Sequence, residues 1–83
     1  MNILYFAWLR QKVGTGQETR DLPENVNTVS DLVSWLKSEG PQYEEAFKDV
    51  SAIKVAINQE FAEFESSLNA SDEVAFFPPV TGG

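Results

Sequence analysis

The 83-residue sequence contains no cysteine and no histidine. Without cysteine there is no disulfide, no thiol nucleophile and no thiolate ligand. Without histidine the usual neutral-pH general base and metal-binding imidazole are also gone. For metals this leaves only an oxygen-ligated hard cation, and no metal site is assigned. Positive charge is scarce as well: 6 Lys and Arg stand against 13 Asp and Glu, a formal charge of −7. That surplus repels phosphate backbones and anionic lipid, so neither nucleic acid nor a membrane is expected as a partner. Met1–Arg10 has no basic lead, and its apolar run is too short for a secretory signal or a membrane span, which reads as a cytoplasmic protein.

The length suits one domain with a single modest core. Residues 3–8 are apolar and aromatic, a first strand followed by a turn or short helical stretch up to Gly14-Thr15-Gly16. Gln17–Leu22 reads as a second strand despite poor β propensity, with Pro23 breaking it. Thr28-Val29-Ser30-Asp31 has the spacing of a capping box, and Val29, Leu32, Val33 and Leu36 then fall on one helical face until Gly40-Pro41. A second short helical stretch is expected around Tyr43–Lys48. Ile53, Val55 and Ile57 alternate with Lys54 and Ala56 as in a half-buried strand. Asn58-Gln59 then marks a turn into Glu60–Phe64, and Glu73–Phe77 reads as a last strand. The pattern predicts an α+β domain over residues 1–77 with one main helix across a mixed sheet, followed by a tail over 78–83. A ferredoxin-like split βαβ unit is the alternative.

Chemistry concentrates at the end of the chain. Neighbouring strand residues face opposite ways, so Phe76 and Phe77 do not share one core, and one of them is expected at the surface for a partner to cover. By the same parity Asn2 marks the even-numbered face of the first strand as outward, which makes Phe6 a second contact candidate; Phe61, beyond the Asn58-Gln59 turn, is a third. For each of these three, ordinary core is the competing reading. Pro78 and Pro79 favour an extended arm, and the six residues Pro78–Gly83 reach about 20 Å at ~3.3 Å per residue. Val80 and Thr81 lead to Gly82 and Gly83, which have no Cβ and let a nucleotide or a catalytic group approach the terminal carboxyl. With no side-chain nucleophile stronger than a hydroxyl, that carboxyl is the candidate reactive group. Glu44-Glu45 and Glu60, Glu63 and Glu65 could pair as acid–base groups but read as solvated faces. Gly14-Thr15-Gly16 lacks the lysine of a phosphate loop and reads as a turn.

Asp72-Glu73-Val74-Ala75 followed by Phe76-Phe77-Pro78-Pro79-Val80-Thr81-Gly82-Gly83 resembles the C-terminal signature of the molybdopterin synthase small-subunit family. Leu4-Tyr5-Phe6-Ala7, Leu9-Arg10 and Ala56-Ile57-Asn58-Gln59 resemble that family at corresponding places. The resemblance implies a ubiquitin-like β-grasp fold and a sulfur carrier that binds no cofactor itself. A ubiquitin-activating-type adenylyltransferase would use ATP to activate the Gly83 carboxylate, and a sulfur donor protein would convert it to a thiocarboxylate. The synthase large subunit would then pass that sulfur to cyclic pyranopterin monophosphate for the molybdenum cofactor.

By the same resemblance Phe6, Phe61 and Phe77 correspond to contacts with the large subunit. Residues Pro78–Gly83 correspond to a tail threaded into its active site, in a heterotetramer with two small subunits. Phe61 departs from the smaller aliphatic residue frequent there. Arg10 is open between a contact with the activating enzyme and an ordinary surface arginine. A carrier for another pathway, such as a thiamin-type donor, and a ubiquitin-like protein modifier are the competing readings.

Overall fold

A computed structural model describes residues 1–79. The strands are β1 (Asn2–Tyr5), β2 (Gln17–Thr19), β3 (Lys54–Ile57), β4 (Glu60–Ala62) and β5 (Glu73–Phe77). The helices are α1 (Trp8–Val13), α2 (Val29–Glu39) and α3 (Pro41–Ala46), with a 3₁₀ turn at Val50–Ala52. The sheet order is β2-β1-β5-β3-β4. β1 runs parallel to β5 and every other pairing is antiparallel. Placing the first and last strands side by side at the centre, with α2 over one face, gives the β-grasp arrangement. The ferredoxin-like alternative does not fit this mixed sheet.

The strongest local signal in the sequence is realised. The Thr28 hydroxyl accepts from the Asp31 N–H at 3.1 Å, and the Asp31 carboxylate accepts from the Thr28 N–H at 3.2 Å. The α2 residues Val29, Leu32, Val33 and Leu36 are buried as their spacing requires. They meet Ile3, Tyr5, Val55, Val74 and Phe76 from the sheet, and Phe47 after α3, in one core. Phe47 packs edge-on to Phe76 with ring centroids 4.9 Å apart, and Tyr5 stacks on Phe76 at 6.2 Å.

Several boundaries differ from expectation. The first strand stops at Tyr5, and residues 8–13 form a helix instead of continuing it. Ala7 turns the chain between them with φ 54° and ψ −131°. Gly14, at φ 95°, then closes α1 by donating its N–H to the Arg10 carbonyl at 2.9 Å. The second strand covers Gln17–Thr19 only, and α3 begins at Pro41, where a proline needs no N–H partner. β4 ends at Ala62, because the Ser30 N–H takes the Phe64 carbonyl and the Val29 N–H takes that of Ser66. The Asn58-Gln59 turn is present, with both residues at positive φ, 51° and 70°, the form that matches the twist of a two-residue hairpin.

Candidate functional site

Two faces of the sheet have different fates. Residues of one parity, Ile3, Tyr5, Val55, Val74 and Phe76, are buried under the helices. Those of the other parity look outward. Pair by pair across the strands, the register places Gln17 beside Leu4, Leu4 beside Ala75, Ala75 beside Ala56 and Ala56 beside Phe61. Two alanines therefore keep the middle of this row low, between Leu4 and Phe61. Phe77, two residues beyond Ala75, packs its ring 5.9 Å from that of Phe61 at an angle of 52°.

The three aromatic contact candidates thus gather on one side. Phe61 is 85% exposed and Phe6 is 49% exposed. Phe77 is half-buried while Phe76 is fully buried, which resolves the Phe76/Phe77 pair as strand parity requires. Phe6 lies just past the end of β1 but keeps the outward parity of Asn2 and Leu4, and its N–H donates to the Phe76 carbonyl at 3.1 Å. A groove of about 580 Å³ runs from this patch past Val50, Phe64 and the rim residues Lys54 and Glu63. Val50, 43% exposed, belongs to the apolar surface although sequence reasoning did not single it out. It lies in a 3₁₀ turn, where neither the two-residue nor the 3.6-residue period applies.

Because β1 and β5 are parallel, with Tyr5 opposite Phe76, their C-terminal ends share one edge of the sheet. Phe6 and the tail root at Phe77-Pro78 therefore stand side by side. Pro78 is half-buried and Pro79 exposed. Val80, Thr81, Gly82 and Gly83 lie outside the described residues. Among the described residues no cluster of three carboxylates that could hold a metal is found. Glu45 instead accepts from Lys12 at 3.2 Å and Lys48 at 2.9 Å on the surface. No helix of the described residues is long and apolar enough to cross a membrane.

One polar cluster escaped the sequence reading. Glu18 of β2 points toward the helices, where a carboxylate is costly unless it is paired. It accepts from the Tyr5 hydroxyl at 2.8 Å, from the Tyr43 hydroxyl at 2.7 Å and from Arg20 at 3.1 Å. Arg20 also binds Glu39 and lies over the Trp35 ring, 4.7 Å from its centroid. Burial raises the Glu18 pKa, but the hydrogen bonds from Tyr43, Tyr5 and Arg20 outweigh it and hold the group below the usual carboxylate value. Burial and the Glu18 charge push Tyr43 up to about 12 and Tyr5 higher still. These residues lie 13 and 25 positions apart in the sequence, with no local pattern linking them. The cluster ties edge strand β2 to α2 and α3, and its place is structural.

The family model for the ThiS family matches residues 3–83. The chain belongs to the ThiS family. The molybdopterin synthase sulfur carrier subunit of Escherichia coli is 35% identical over 83 residues, covering 100% of this chain and 99% of that protein. Among solved structures, the H. volcanii small archaeal modifier protein 1 superposes with a TM-score of 0.77 at 32% identity, covering 96% of this chain and 97% of that one. A complex of subunits 1 and 2 of the molybdopterin-converting factor from Helicobacter pylori contains a chain with the same fold, at a TM-score of 0.64 and 18% identity, covering 99% and 96%. This ThiS-family chain thus combines the β-grasp domain with an aromatic face at the root of its C-terminal segment.

Proposed function

We propose that this chain is the sulfur carrier subunit of a molybdopterin synthase and that its Gly83 carboxyl carries the sulfur. The observation that bears most weight is the full-length similarity to the E. coli sulfur carrier subunit, joined to an exposed aromatic face beside the tail root. A carboxylate is a poor electrophile because resonance spreads its charge. Attack of the Gly83 carboxylate on the α-phosphorus of ATP, in a ubiquitin-activating-type adenylyltransferase, gives an acyl adenylate and releases pyrophosphate. The terminal sulfur of a donor persulfide then displaces AMP, and a thiol cleaves the acyl disulfide to leave the thiocarboxylate.

On the large subunit that sulfur attacks cyclic pyranopterin monophosphate. Hydrolysis of the resulting thioester leaves the sulfur on the product and returns the carboxylate. The chain supplies no catalytic side chain to these steps. It supplies docking through Phe6, Phe61 and Phe77, and delivery through Pro78, Pro79, Val80, Thr81 and Gly82. A low row of alanines between larger apolar residues suits a flat apolar partner surface.

The test is intact mass spectrometry of the chain after incubation with ATP, its adenylyltransferase and the sulfur donor. Replacement of one oxygen by sulfur at Gly83 is expected; a chain that never gains sulfur under these conditions overturns the proposal. One residue added after Gly83 should abolish sulfur transfer without altering the fold, because the reacting carboxyl moves. The likeness to a small archaeal modifier protein favours a second reading, in which Gly83 forms isopeptide bonds to lysines. Covalent conjugates resistant to thiols would distinguish it.

A further inference from the structure

Beside Phe6, on the tail-root edge of the sheet, lies a second concavity of about 880 Å³, lined by Ala7, Arg10, Gln11, Gly14, Thr15 and Gly16. Its cation is held in place by the backbone. Arg10 rests against Gly16, where an added Cβ would stand 3.1 Å from its Nε and 3.3 Å from its Cζ, so the absent side chain is what makes room for the guanidinium. Gly16 is itself fixed, since its carbonyl accepts the Tyr5 N–H at 3.0 Å. Ala7 forms another wall, in a backbone region that side chains avoid; such strain costs of order 1–3 kcal/mol and clusters at functional sites.

Arg10 also stands apart electrostatically. Lys12, Lys48 and Arg20 each pair with a carboxylate, whereas Arg10 has no ion pair among the described residues. In a chain with 13 acidic and 6 basic residues, a positioned and unpaired arginine in a cleft is conspicuous. The guanidinium fork matches a carboxylate in two parallel hydrogen bonds.

The geometry points to this cleft as a receptor for an acidic side chain of the synthase large subunit, the partner that covers Phe6, Phe61 and Phe77 in the reading above, on which the inference rests. The aromatic face supplies apolar area that tolerates sliding, and the Arg10 pair supplies a directional contact at one end. Together they fix the register in which the tail, rooted at the same sheet edge, enters that partner. A complementary charge at an interface rim sets register and on-rate more than affinity.

The test is calorimetric and stopped-flow binding of the full chain to the large synthase subunit of the same organism, at low and high salt. Arg10→Glu is expected to weaken binding roughly tenfold, mostly through the on-rate, with Arg10→Lys losing less because an ammonium lacks the planar fork. Gly16→Ala, which displaces the guanidinium and keeps its charge, should fall between them. Lys48→Glu makes the same charge change at an exposed site after α3 and serves as the control. Arg10→Glu binding within about twofold of the unaltered chain, or no weaker than Lys48→Glu, overturns the inference while leaving the proposed function intact. So does a defect confined to the ATP-dependent loading step, which would assign the contact to the adenylyltransferase. If the unaltered chain itself fails to bind the large subunit, the proposed function falls and the inference with it.

Discussion

The rings of Phe61 and Phe77 face one another 5.9 Å apart on the outward side of the sheet, one from edge strand β4 and the other from the end of β5. Phe61 has almost no other cover, being 85% exposed. An aromatic held at the surface against a second aromatic is a preformed contact, with little rotamer freedom left to lose on binding.

That relationship predicts a separation of stability from binding. Phe61→Ala should change folding stability by no more than about 0.5 kcal/mol, as exposed substitutions do. It should weaken large-subunit binding by about 2 kcal/mol or more, as for an aromatic anchor at an interface centre. Phe76→Ala, by contrast, empties a fully buried site and should cost about 3–5 kcal/mol of stability. Denaturant unfolding and calorimetric titration of the two variants check this. Equal stability losses for both would contradict the assigned faces.

Ala7, with φ 54° and ψ −131°, should be better served by glycine. Relief of strain worth about 1–3 kcal/mol exceeds the extra 0.5–1 kcal/mol of backbone entropy that glycine loses on folding. Ala7→Gly is therefore expected to raise the thermal midpoint; a lowered midpoint would show that the turn is not strained.

Glu18 predicts the shape of the acid limb. Its folded pKa is lowered, so its contribution is present above the unfolded value of 4.5 and is lost as pH falls through the folded value. Tyr43 acts in the opposite sense. Its contribution is complete below the unfolded value of 10.0 and disappears as pH rises toward about 12. Glu18→Gln should flatten the acid limb of a plot of thermal midpoint against pH and lower the plateau at neutral pH, because Arg20 loses its charged partner beside the core. An unchanged acid limb would remove Glu18 from this role.

Thr28→Ala removes one half of the capping box and should cost about 1 kcal/mol. Thr28→Ser, which keeps the acceptor oxygen, should restore most of it. Comparable losses in both variants would mean that the methyl group, and not the cap, matters at this position.

Much of this architecture was readable from local pattern. The cap at Thr28 and the α2 spacing are satisfied within four to eight residues, so the rest of the fold could not easily override them. The alternation around Val55, the turn at Asn58-Gln59 and the parity of Phe76 and Phe77 were legible for the same reason. Helix α1 was not. Its six residues carry few helix signals, and what places it is a strained Ala7 and a Gly14 cap, whose dihedrals do not appear in the residue names. The candidate aromatic residues could be named one at a time, but that they form a single face depends on which strands are neighbours.

Strand adjacency is a long-range property. The sequence alone determined the kinds of element, the main helix, the lack of catalytic side chains and the family signature at the C-terminal end, because each is written in short-range spacing and composition. Only the tertiary structure decided that β1 lies beside β5, which brings Phe6, the tail root and the Arg10 cleft to one edge. It also decided that Tyr5, Glu18, Arg20 and Tyr43 meet. Both outcomes arise when distant segments bury their apolar faces against one another, and the polar groups carried inward with them must then find partners among residues far away in the chain.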